Sequence, residues 1–99
     1  MAVRNERLRY IGFELEGRKI PRDVMISAIR ASFESEEYEK IKPWLTVFDD
    51  NKGIVRCRHK GKERTKDILN SMKLNGESVR TVVSSGSIKK VKERLFNDV

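Results

Sequence analysis

The chain has 99 residues, of which 37% are hydrophobic and 37% charged, with a formal net charge of +7. A single domain of this size buries only a thin core, and its basic balance asks for a polyanionic partner, nucleic acid first and an anionic membrane surface second. One cysteine and one histidine exclude an intramolecular disulfide and a zinc site built from Cys and His alone, no stretch approaches a membrane span, and the start of the chain lacks the apolar segment of a secretory signal.

The free thiol of Cys57 suits a reducing, cytoplasmic setting. Charge is divided unevenly. Residues 1–52 hold 10 basic and 10 acidic side chains, whereas residues 53–99 hold 12 and 5. Lys52 to Lys66 is the basic extreme, with Glu63 its one acid, and Glu34-Ser-Glu-Glu-Tyr-Glu39 is the acidic one. A polyanion is repelled by that second cluster, which therefore faces solvent or a different partner.

Residues 1–6 read as a loose lead-in to one domain spanning 1–99. Leu8 to Leu15 alternates as a strand, with Ile11, Phe13 and Leu15 on one face and Tyr10, Gly12 and Glu14 on the other. Gly17-Arg-Lys breaks it. Pro21 fits the first position of a helix, and Asp23 suits the positive end of its dipole. Met25, Ile29 and Phe33, with Val24, Ile26 and Ala28, give that helix a wide apolar stripe. A second strand runs from Ile41 through Pro43 to Phe48. Asp49-Asp-Asn-Lys-Gly53 predicts a short hairpin loop, and Ile54 to Lys60 the returning strand.

Ile68, Leu69 and Met72 mark a helix over 63–72, which Asn75-Gly76 ends. Ser78 to Ser84 is a strand with a β-branched centre. Ser87 follows as the N-cap of a last helix striped by Ile88, Val91 and Leu95. The order β-α-β-β-α-β-α is that of an α+β, ferredoxin-like sandwich resembling RNA-recognition modules. It implies a four-stranded antiparallel sheet with helices mainly on one face.

Arg56, Arg58 and Lys60 fall at alternate positions of the third strand, and Lys62 continues the register. In a strand this puts the three cations on one face and Val55, Cys57 and His59 on the other. Like charges stacked in this way repel until anions neutralise them, and a phosphate backbone does so. The plainer alternative is a solvated sheet face. Ser85, Ser87, Lys89 and Lys90 form a second basic element, where free N–H groups at a helix start attract anions. There too a plainer alternative stands: Ser87 caps the helix and the lysines are solvated.

Base-stacking aromatics are sparse. The third strand has none, Tyr10 is the single one on the polar face of the first, and Trp44 and Phe48 read as core or interface, so the sheet suits phosphate and shape contacts. No catalytic set is visible. His59 reads as packed beside Val55 and Cys57, and Asp49-Asp50 as turn chemistry rather than a Mg²⁺ site. On the first helix the apolar arc is wider than one packing stripe needs. That makes Met25, Ile26, Ile29 and Phe33 candidates for a protein interface.

Arg9-Tyr-Ile-Gly-Phe-Glu14, Gly53-Ile-Val-Arg-Cys-Arg-His-Lys60 and Ser84-Ser-Gly-Ser-Ile-Lys-Lys90, with Trp44-Leu-Thr-Val-Phe48 before the basic strand, together resemble the archaeal ribonuclease P protein component 2 family over about residues 7–96. The resemblance implies a non-catalytic subunit of a ribonucleoprotein that removes the 5′ leader from precursor tRNA. Its partners would be ribonuclease P RNA and protein component 3, with two such pairs joined as a heterotetramer. It implies no cofactor on this chain, since the Mg²⁺-dependent chemistry belongs to the RNA. Two other classes are weighed against it. The closer is an autonomous RNA-binding protein of ribosomal type. The other is a small-molecule regulatory domain of the ACT type, which gives no reason for the charge. An acylphosphatase on this fold is disfavoured, because Glu16-Gly-Arg-Lys-Ile-Pro21 lacks that enzyme's anion-cradling loop.

Overall fold

The computed structural model describes residues 7–16, 20–49, 51–74 and 76–96, and structural statements concern these residues. The elements run β1 (Leu8–Leu15), α1 (Arg22–Ser32), α2 (Ser35–Ile41), β2 (Trp44–Asp49), β3 (Lys52–Arg58), a 3-10 turn (His59–Gly61), α3 (Lys62–Ser71), β4 (Lys73–Leu74), β5 (Glu77–Ser85) and α4 (Ile88–Phe96). The strands form one antiparallel sheet in the order β2-β3-β1-β5-β4, curled towards a half-barrel. Four of them, β2-β3-β1-β5, keep the expected α+β plan. The fifth, β4, is a two-residue edge strand that the sequence pattern did not announce.

The helices divide between the two faces, which corrects the expectation that one face carries them. Ile11, Phe13 and Leu15 of β1 and Val55 and Cys57 of β3 pack with Met25 and Ile29 of α1, Ile41 of α2 and Ile68 and Leu69 of α3. On the opposite face α4 lays Val91 and Leu95 over Ile54, with Tyr10, Val47 and Val83 around them. The register explains the division. Ile11 stands opposite Val55 and faces α1–α3, while Gly12 stands opposite Ile54 and faces α4. With both faces covered, Ile11-Gly12-Phe13 and Gly53-Ile54-Val55 are each buried without a break.

Local chemistry accounts for the other departures. Pro21 occupies the N-cap, extended at ψ 149°, rather than the first helical turn. The acidic run begins α2, a separate helix that the expected element order lacks, where Glu34 and Glu37 form a capping box and Glu36 and Glu37 sit at the positive end of the helix dipole. Ile41 belongs to α2, so β2 starts later, after a left-handed Lys42 at φ 52°. Gly53 lies within β3, opposite Phe13, and the hairpin is tighter than expected. Residues 1–6, 17–19, Asp50, Asn75 and 97–99 lie outside the described residues, and with them the loose lead-in and the expected break after β1.

Gly12 makes the α4 packing possible. A Cβ there would lie 3.0 Å from Val83, 3.1 Å from Val91 and 3.3 Å from Leu95. Gly12→Ala therefore forces these side chains to give by a few tenths of an ångström and is expected to cost about 1–3 kcal/mol by overpacking, read as a lower urea midpoint. An unchanged midpoint would mean that α4 does not lie on this strand.

Candidate nucleic-acid interface

The pairing of β1 with both neighbours gathers the basic elements at one end of the sheet. Tyr10 stands opposite Arg56 on one side and Ser85 on the other, so Arg56 and Ser85 are two strand spacings apart, about 10 Å. Trp44 of β2 stands opposite Arg56. Directly opposed residues share a face, so Trp44, Arg56, Tyr10 and Ser85 form one cross-strand row beyond the start of α4. Trp44 is 54% exposed, which places an aromatic beside Arg56 that the third strand itself lacks. Phe48, by contrast, stacks on Phe13 at 6.2 Å between ring centroids.

Several expected positions move. β3 ends at Arg58, and Lys60 lies in the 3-10 turn, so the cations do not form one continuous strand row. Arg56 remains on the face that α4 shares. Arg58 donates to the Lys40 carbonyl at 3.3 Å. Lys62 is the first residue of α3 and lies 3.8 Å from Glu63. Ser87 caps α4, its Oγ accepting the Lys90 N–H at 3.4 Å, and the Ser85 hydroxyl accepts the Ser87 N–H at 3.1 Å. Both hydroxyls thus serve the loop, while Lys89 and Lys90 are exposed in the first turn of α4.

His59 is not packed with Val55 and Cys57. The 3-10 turn rotates it off the strand into solvent, and its backbone N–H donates to the Arg7 carbonyl at 2.8 Å. Partial desolvation, then the positive charges of Arg9, Arg7, Lys62 and Lys60, hold its imidazole below the ordinary range. Cys57 does pack in the core, where burial pushes its thiol up, so it is no activated nucleophile.

Arg7, Arg9 and Lys40 join this basic end although sequence reasoning passed over them, and so does Arg64 of the Lys52–Lys66 basic run. A signal existed. In an antiparallel β1–β3 pair, the start of one strand lies beside the end of the other, which brings Arg7 and Arg9 to Arg58 and His59. Arg9 also approaches the serine loop, since a Cβ on Gly86 would lie 2.7 Å from its guanidinium.

The expected protein interface contracts. Met25, Ile29 and Phe33 are buried in the core, because α1 uses that stripe to cover the sheet. Ile26 and Val24 stay exposed. Ile26 and Trp44 wall a shallow groove at the α1–β2 edge with Arg30 and Tyr38, whose guanidinium and ring lie 5.4 Å apart. Among the described residues no three His, Cys, Asp or Glu cluster as metal ligands, and no helix is long and apolar enough to cross a membrane.

The field at His59 has a measurable consequence. Its folded-state pKa lies below the unfolded value of about 6.5, so the folded chain resists the proton and loses stability as pH falls through that value. A polyanion bound nearby reverses the field. Proton NMR is expected to show the His59 ring titrating below about 6.5 in the free protein and higher with RNA bound. A titration point that RNA leaves unmoved would put the bound strand elsewhere.

No family model matches the chain, and no curated protein matches it by sequence. By shape it is similar to a chain in the cryo-EM structure of yeast ribonuclease MRP, with a TM-score of 0.69 and 14% identity over 93% of both chains. The likeness runs almost end to end, so the two chains share one fold.

Proposed function

We propose that this chain is an RNA-binding, non-catalytic subunit of a ribonucleoprotein of the ribonuclease P and MRP type, in which the RNA performs Mg²⁺-dependent removal of the 5′ leader from precursor tRNA. The observation that carries the proposal is the end-to-end likeness in shape to a chain of ribonuclease MRP. The three sequence segments that resemble ribonuclease P protein component 2 support the same reading, and the cationic end of the sheet supplies the chemistry. Helices cover both sheet faces at their centre, so RNA is met at the end, by Arg56, Lys60, Lys62, Lys89 and Lys90, with Trp44 available for stacking. Interactions of this kind hold phosphates and shape, and they position the RNA rather than read its sequence. Ile26 and Val24 offer the surface for protein component 3, and a dimer of such pairs is compatible with one such surface per chain.

Reconstitution with ribonuclease P RNA, protein component 3 and precursor tRNA tests the proposal. The chain is expected to lower the Mg²⁺ needed for leader removal only when the RNA is present. Arg56→Ala with Lys89→Ala should flatten the dependence of log K on log salt by about 0.7–0.9 for each phosphate left without its cation, with circular dichroism unchanged. Ile26→Asp should abolish co-purification with protein component 3 while free-chain RNA binding survives. RNA binding without any effect on cleavage would instead favour an autonomous RNA-binding protein.

A further inference from the structure

A hollow of about 700 Å³ is walled by Arg7, Lys40, Arg58, His59, Lys60 and Arg64. These side chains come from four separate segments: the lead-in to β1, the last turn of α2, the end of β3 with its 3-10 turn, and the first turn of α3. Among the described residues no carboxylate lines it. The neighbouring acid, Glu37, is already engaged, accepting Arg64 Nε at 2.6 Å, and that pair holds the Arg64 guanidinium at the rim.

The hollow is braced by two hydrogen bonds to backbone carbonyls, one from a backbone N–H and one from a guanidinium. The His59 backbone N–H donates to the Arg7 carbonyl at 2.8 Å, which ties the 3-10 turn to the start of β1. Arg58 donates to the Lys40 carbonyl at 3.3 Å, which ties the end of β3 to α2. Gly61 forms the floor. A Cβ there would lie 2.5 Å from Ile41 Cγ1, so only glycine lets the turn sit directly on the end of α2. That approach brings the Lys40 and Lys60 ends round one space.

Like charges crowded round one hollow repel one another: Arg7 and Lys60 of its wall, with Arg9 and Lys62 nearby, add to the desolvation that holds the His59 imidazole below its ordinary range. An extended strand lays its phosphates in a row and is matched by a flat ridge of cations. A concave site walled by cations from several directions matches phosphates that converge. We propose that this hollow binds clustered phosphates, those of a sharply turned RNA backbone or of a free polyphosphate. The first source rests on the RNA-binding reading above; the second does not.

The test uses the full chain, isotope-labelled, with three probes: tripolyphosphate, a short RNA hairpin with a four-nucleotide loop, and a linear oligouridine of equal length. Tripolyphosphate and the hairpin are expected to shift the His59 ring and the Arg64 Nε–H, and to bind at least several-fold tighter than the linear strand. Lys40→Ala with Lys60→Ala removes two exposed cations without touching the backbone ties. It should weaken both probes by about tenfold or more, with the fold intact by circular dichroism, and arginine at both positions should restore binding. If tripolyphosphate leaves His59 unmoved, or the double alanine variant binds both probes like the parent, the hollow is no phosphate site. RNA binding that persists through Arg56 and α4 in that case leaves the proposed function standing. Tripolyphosphate bound in the hollow with no RNA bound anywhere supports the site, identifies a free polyphosphate as its source, and overturns the RNA reading.

Discussion

The structure turns on β1, the one strand hydrogen-bonded to both β3 and β5 and covered on both faces. Ile11 and Phe13 carry the packing of α1–α3, while Gly12 leaves the room that α4 needs on the other side. A side chain at Gly12 would crowd Val83 and the Val91 and Leu95 side chains of α4. This has a consequence for binding. A small sheet of this plan ordinarily leaves one face open for ligand, but here Val91 and Leu95 occupy the middle of that face. What remains is the end where β1 begins, β3 finishes and α4 starts, and each of those three segments is basic there.

Concentrating cations at one end costs the free protein electrostatic energy. At that end Arg64 is paired with Glu37, which holds its guanidinium at the rim of the hollow. At the far end, where Glu14 stands opposite both Lys52 and Arg80, Arg80 is paired with Glu14 and the Lys52 ammonium donates to the Leu95 carbonyl at 3.1 Å, which fastens the last turn of α4 to β3. Exposed ion pairs of this sort contribute little stability, about 0–1 kcal/mol each. Arg56, Lys60, Lys89 and Lys90 are left facing solvent or the partly covered sheet row, and repulsion among such groups is relieved by phosphate.

Periodicity made most of the elements legible. Alternation located β1, β3 and β5, and the stripe Ile88, Val91, Leu95 located α4. A helical stripe does not say which side of a sheet it covers, so the placement of α4 was not legible from its own residues. The clue lay in its target: Ile54 beside Val55 and Gly12 beside Ile11 and Phe13 make unbroken buried runs, the mark of a strand covered twice. The alternation of Arg56, Arg58 and Lys60 was misleading because it continues past Arg58, where the chain turns into a 3-10 geometry at no cost to a charge pattern. His59 followed the same false register and was expected inside. The α1 surface was overestimated because propensity patterns cannot tell how much of an apolar arc the sheet will consume. It consumed Met25, Ile29 and Phe33.

The acidic run acquires a meaning that only the fold supplies. α2 carries Glu36 and Glu37 in its first turn and Lys40 in its last, so its charges follow its own dipole and its basic end joins the cation-walled hollow. The same short helix therefore presents attraction at one end and repulsion at the other. On the proposed reading, a strand of phosphates at Lys40 and Lys60 would meet Glu34, Glu36 and Glu39 along α2, and Arg58, Arg56 and the lysines of α4 across the sheet end. The distribution of charge on this one short helix would thus favour the second path. Neutrality of the first half of the chain is then no absence of function, since its acids border the surface that its own Arg7, Arg9 and Lys40 help to build.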